Sequence, residues 1–273
     1  MIGRASPIFL QGRSIADRSR TRILYHLIIG IMQRSVILTS NPTAKTTVQK
    51  SFTTTLKPAL ATQQRSVLAR MARVETLFLE EGFVAPEFSL PWPEKDFAPV
   101  SLMNDVVKAD TKAVVFLILS NHCPFVVHLK DEIIRMSQDY KSQGVEFVAI
   151  SPNDPKIKEK DSAELMAKEG YPFPYLFDEA QEVAKMYKGM CTPDIYAFRN
   201  DGGELKLAYQ GQLDSSRPER KGGDPNIPNN GEDLRAALDH IVAGESVPKP
   251  WKPSIGCSIK WSEGNEPSYW GKQ

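Results

Sequence analysis

The stretch SNHCPF, residues 120–125, sets a cysteine between a histidine and a proline, directly after the apolar run AVVFLIL. Proline fits the first position of a helix, where its missing N–H costs nothing. If a strand ends near Ser120 and a helix opens at Pro124, Cys123 stands at the helix N-cap. There the free N–H groups of the first turn and the helix dipole favour the thiolate over the thiol, and a protonated His122 would add to the effect. A thiolate at neutral pH is a nucleophile toward peroxides or disulfides. The competing reading is a packed small hydrophobe, the usual state of a free cysteine. The order strand, Cys, Pro, helix favours the chemical reading, and Ser120 stands three residues earlier. Cys191 and Cys257 complete a set of three. Three are too few for a disulfide scaffold, and their spacing is not that of a metal site. They suit a reducing compartment.

The elements that would position Cys123 can be read around it. AVVFLILS (113–120) has the continuous apolar character of a strand covered on both faces. In 124–144 the residues Phe125, Val126, Leu129, Ile133, Met136 and Tyr140 fall on one helical stripe, and Gly144 stops it. VEFVAIS (145–151) is a second strand of the same type, so the unit is βαβ with a parallel crossover. A polar helix is predicted within 155–169, a short strand at 174–177 and a helix at 179–188. DIYAF (194–198) and LKLAY (205–209) flank Asp201-Gly202-Gly203, a hairpin turn. A last helix is predicted over 232–244, with Asn230 as N-cap. PEFSLP (86–91) alternates like a short strand. A βαβ half followed by a ββα half resembles the thioredoxin plan: an α/β fold with a central mixed sheet flanked by helices.

Charge divides the chain. Residues 1–73 hold twelve Lys or Arg and one acid, Asp17, which leaves 22 basic and 32 acidic residues in the rest. A body with a net charge of minus ten argues against nucleic acid as a partner. The leader is rich in Arg, Ser and Thr, the composition of a transit peptide to a mitochondrion or plastid. Its apolar stretch 23–32 is too short to span a bilayer. We therefore expect a leader (1–73), a thioredoxin-like domain (74–246) and a C-terminal extension (247–273). The extension carries four prolines and three of the four tryptophans. Tryptophans are costly in a solvated tail, so it should pack against the domain, or against a second copy in a homodimer.

Five spaced segments give the chain a specific resemblance. SNHCP, VAISPND, MCTPD, YQGQLDSSRP and KPSIGCSIKW are similar to motifs of the peroxiredoxin-like group within the alkyl hydroperoxide reductase and thiol-specific antioxidant superfamily, over about residues 86–267. The resemblance implies a thioredoxin fold in which Pro193 is a cis-proline facing Cys123. It implies a thiol-dependent redox protein with Cys123 as nucleophile, the Ser120 hydroxyl bonded to its sulfur, and no bound cofactor or metal. His122, Pro124, Thr192 and Pro193 would then contact substrate, a peroxide or a protein disulfide, and electrons would come from a thiol protein or glutathione. Cys191, two residues before Pro193, is expected near the mouth of the site as a resolving thiol. Cys257 is read as packed, or as a resolving thiol if the tail folds over the site. Departures limit the chemistry. Ser120 stands where the group has the first Cys of C-x-x-C, so a disulfide cannot form between those positions. Phe116 replaces the peroxiredoxin proline, and no Arg occupies 191–193. The alternative is a non-catalytic thioredoxin-fold binding or redox-sensing module.

Overall fold

Six apolar residues in a row need cover on both sides, and Ala113–Ile118 has it: each is buried. The computed structural model describes residues 74–80 and 82–270, so the expected leader lies outside the described residues. The elements run β1 (Val74–Glu75), β2 (Ser89–Trp92), β3 (Ala98–Ser101), β4 (Ala113–Ile118), α1 (Pro124–Lys141), β5 (Val145–Ser151), α2 (Ala163–Met166), β6 (Tyr175–Phe177), α3 (Glu182–Met186), β7 (Cys191–Thr192), β8 (Asp194–Asp201), β9 (Glu204–Gln210), α4 (Glu232–Val242) and β10 (Ile255–Ser258).

The main sheet has the order β6-β5-β4-β8-β9. β4, β5 and β6 are parallel, and β8 and β9 are antiparallel additions. Alternate residues of β4 feed two cores. Val115 and Leu117 join the helix stripe of α1 and Leu234, Leu238 and Ile241 of α4. Val114, Phe116 and Ile118 face an aromatic layer of Phe88, Tyr187, Tyr196 and Phe198. Phe116 stacks on Tyr187 at 4.2 Å between ring centroids, so the residue in place of proline is a core aromatic. All six residues of the predicted α1 stripe are buried.

Three expectations need correction. The helix predicted within 155–169 is a 3₁₀ turn, Glu159–Asp161, followed by the single turn of α2. Ser162 between them is extended (ψ 151°), and the segment has no continuous apolar stripe to make a longer helix worth burying. The helix predicted over 179–188 is the shorter α3. The N-cap of α4 is Gly231, in the left-handed region at φ 69°. Asn230 still accepts from the Glu232 N–H (3.1 Å).

The C-terminal extension is built into the domain. β10 lies between β1 and β7 in a second, three-stranded sheet. Trp261 is buried and meets Trp270 edge-on at 6.2 Å, while Trp251 packs on Tyr209 at 5.7 Å. Among the described residues no helix is long and apolar enough to cross a membrane, and no group of three or more His, Cys, Asp or Glu could hold a metal ion.

Candidate active site

The turn between β4 and α1 is held by a carboxylate from a distant segment. Asp161, fully buried, accepts from the Asn121 N–H (2.7 Å), the His122 N–H (3.2 Å) and Asn153 Nδ2 (2.8 Å), and its Oδ2 lies 2.5 Å from His122 Nδ1. Tyr175 donates to Asn121 Oδ1 (3.0 Å). These bonds replace the backbone pairing that the turn lacks and deliver Cys123 to the N-cap of α1 in extended conformation, with Pro124 opening the helix. His122 is thereby turned toward Asp161 and away from any bond to the sulfur. KIKEKD (156–161), which reads as solvated surface, contributes this buried hub.

The other wall is β7 and the tail. Thr192–Pro193 is cis, as the motif CTPD implied. The Cys123 thiol donates to the Thr192 carbonyl at 2.9 Å. β10 pairs antiparallel with β7, with Cys257 opposite Thr192 and Ser258 opposite Cys191. Opposed residues of an antiparallel pair share a face and neighbours alternate. Thr192 and Cys257 therefore face Cys123, and Cys191 faces away. Gly256 is required for this approach, because a Cβ there would stand 2.1 Å from the Thr192 carbonyl oxygen.

The electrostatics of Cys123 follow from these neighbours. Burial alone pushes its thiol up. The Cys257 thiol, the Thr192 side chain, the Val126 N–H and the Cys257 N–H all favour the anion and outweigh burial, bringing the pKa down from 9.0 to about 6. The contact with the Thr192 carbonyl suits only the protonated form, so these donors act against it as well. Cys257 moves the opposite way: its hydrogen bond to Cys123 and its burial push it up. Of the two coupled thiols, Cys123 is the one favoured as the anion and Cys257 the one favoured as the thiol. Lys260, half-buried, is pushed down by desolvation, while Cys257 and Cys123 favour its charged form.

Of the residues singled out from sequence, Cys123, Pro124, Thr192 and Pro193 meet at one place. Ser120 needs correction. Its hydroxyl is bonded to Thr192 Oγ1 (3.1 Å), and the hydrogen bond of the Cys123 thiol goes to the Thr192 carbonyl instead. Cys191 is fully buried on the opposite face, its thiol on the Pro193 carbonyl at 3.3 Å, and burial beside Asp194 holds it well above the usual thiol range. Asp161 and Lys260 were missed, and the tail does fold over the site, the alternative placement of Cys257. Asn153 and Lys260 both lie within the segments VAISPND and KPSIGCSIKW and are bonded to each other, Lys260 N–H to Asn153 Oδ1 at 2.8 Å. YQGQLDSSRP proves to be scaffolding: Asp214 accepts from Ser216, Asn230 and Gly231, and Arg217 bonds the Asp214 carbonyl. A cavity of about 630 Å³ beside residues 217–229 is lined without Cys123.

A mixed sheet with a cysteine at the first helix N-cap, facing a cis-proline, defines a thioredoxin-fold thiol protein. The AhpC/TSA family model matches residues 82–207. The chain is 48% identical to an uncharacterized conserved protein from Geobacillus kaustophilus, over 70% of this chain and 96% of that one, with a TM-score of 0.63. It is 35% identical to a hypothetical protein from Sinorhizobium meliloti, over 70% and 99%, with a TM-score of 0.62. Comparison with curated proteins gave no match. The chain belongs to the peroxiredoxin-like, thioredoxin-fold AhpC/TSA family.

Proposed function

We propose that this protein is a thiol-dependent peroxide reductase in which the Cys123 thiolate attacks the peroxide oxygen. The observation that carries the reading is the set of donors converging on Cys123, which favours its anion at neutral pH. Family membership supports thiol redox chemistry in general. Hydroperoxide is favoured over protein disulfide because the backbone of β7, where an extended peptide would add as a strand, is already paired by β10. Lys260 supports the same reading: it brings a cation within electrostatic range of Cys123 where 191–193 offer no Arg, and a positive charge stabilises the charge that develops as the O–O bond breaks. Thr192 orients the incoming oxygen, and Ser120 holds the Thr192 hydroxyl. The electron donor is proposed to be a thiol protein or glutathione, and the composition of residues 1–73 supports import into a mitochondrion or plastid.

Cys123 has no exposed surface, so a substrate must enter through a local opening, which admits a small hydroperoxide more readily than a peptide. That burial also favours the second reading, a redox-sensing module without turnover. Hydroperoxide consumption supplied with a dithiol separates the two. Multiple turnovers by the full chain, abolished in Cys123→Ser, are expected. Equal consumption by Cys123→Ser, or a single stoichiometric oxidation without turnover, would overturn the reductase reading.

A further inference from the structure

The tail strand presents a thiol to Cys123 in a way that Cys191 does not. Cys257 sits opposite Thr192 in the β10–β7 pair, and the Thr192 carbonyl is 2.9 Å from the Cys123 sulfur. Cys257 faces Cys123 from that position, and each thiol shifts the ionisation of the other. Both belong to one packed cluster, Cys123 within it and Cys257 at its partly exposed rim. Cys191 is one residue earlier in β7 than Thr192, on the opposite face, and its thiol donates to the Pro193 carbonyl. The close approach is specific to this register, since Gly256 alone lets the β10 backbone lie against Thr192 and Pro193.

From this juxtaposition we infer that Cys257 is the resolving thiol of the site, and that the protein's oxidised resting product is an intramolecular Cys123–Cys257 disulfide. The inference rests on Cys123 being the nucleophile. In the first step the Cys123 thiolate attacks a hydroperoxide. A sulfur–oxygen bond forms, the O–O bond breaks, and the departing alkoxide takes a proton from solvent to leave as an alcohol. Cys123 becomes a sulfenic acid, oxidised by two electrons, and the peroxide is reduced by the same two. In the second step Cys257 gives up its proton and attacks the Cys123 sulfur. A sulfur–sulfur bond forms, the sulfur–oxygen bond breaks, and the oxygen leaves as water with that proton. A dithiol, or two monothiols in succession, then reduces the disulfide by exchange.

The neighbours of Cys257 suit this order. Before oxidation its proton is held by the Cys123 anion, so it is a poor nucleophile and the two thiols do not compete. Once Cys123 carries oxygen as a neutral sulfenic acid, the anion that held the proton is gone. Lys260 and Lys221 then favour the Cys257 thiolate. The tail strand thus occupies the place of a substrate peptide and supplies the substrate's thiol from within the chain.

The test is peptide mapping of the full-length protein after one equivalent of hydrogen peroxide at neutral pH, without reduction and with dimedone present. In the wild type the inference predicts a Cys123–Cys257 linked peptide and little dimedone adduct. In Cys257→Ser it predicts a dimedone adduct on Cys123 in place of the link. A wild-type Cys123–Cys191 link, or a dimedone adduct on Cys123 with Cys257 still free, would overturn the resolving role and leave the nucleophile reading intact. No change at Cys123 in wild type would overturn both. The wild-type map decides the matter even if the variant fails to fold.

Discussion

At the Cys123 sulfur two effects oppose each other, burial and hydrogen bonding, and their difference sets the chemistry. Removing one donor should therefore move the ionisation measurably. Thr192→Val keeps the β-branched shape and removes the hydroxyl that faces the sulfur. A lost hydrogen bond to a charged group is worth roughly 1.5–3 kcal/mol, or about one to two pH units. We expect the Cys123 thiolate absorbance of Thr192→Val to titrate higher by about that amount. Ser120→Ala, which only releases Thr192 Oγ1, should move it less. A larger shift in Ser120→Ala would show that Ser120 acts on the sulfur directly. At this scale the sequence reported the placement of Cys123 at the helix N-cap, because strand, Cys and Pro are local in the chain. It misassigned the donor: Ser120 is close in sequence, whereas Thr192 is close only after β7 is folded against the turn. Asp161 was hidden for the same reason, as a lone carboxylate in a run of charges looks solvated until its three partners, Asn121, His122 and Asn153, are in place.

Among the elements, β10 decides whether Cys123 is covered. Gly256→Ala puts a methyl group 2.1 Å from the Thr192 carbonyl oxygen. Backbone cannot yield that far, so β10 should lose its pairing with β7. Alkylation at about pH 9, where an ordinary thiol is also substantially ionised, reads access to the sulfur with little contribution from its pKa. Gly256→Ala should then alkylate at Cys123 faster than wild type, and an unchanged rate would mean that β10 does not cover the sulfur. The long elements were legible in the sequence. α1 declares itself through a stripe of six apolar residues and a proline start, and β4 and β5 through runs that only a doubly covered strand can bury. β1, β7 and β10 are two to four residues long and exist only through long-range pairing, so no local pattern marks them. The pinning of the tail was legible from its tryptophans, but not the strand order that brings Cys257 to the site.

For the whole molecule, buried ionisable groups tie stability to pH in a direction that can be worked out. Asp194 is fully buried between Thr76 (2.7 Å) and the Met190 N–H (3.1 Å). Desolvation raises its pKa from 3.8 to about 6 despite those bonds. The native state therefore holds this proton more tightly than the unfolded chain, and stability falls as pH rises from about 4 to about 6. The shift corresponds to roughly 3 kcal/mol. Asp194→Asn removes the charge and keeps an acceptor oxygen for only one of the two donors; it should be less stable at every pH, but its denaturant midpoint should lose this fall. A fall as steep as in wild type would assign the pH dependence elsewhere. Cys123 contributes with the opposite sign: its folded pKa is lowered, so it adds stability as pH rises from about 6 toward 9. That ionisation is the basis of the proposed function and can be measured directly. Site-resolved iodoacetamide labelling of Cys123 by mass spectrometry, from pH 5 to 9, follows the thiolate itself. The account predicts a rate that rises to half its maximum near pH 6 and is flat above neutral pH. A rate still climbing toward pH 9, as for an ordinary thiol, would contradict it.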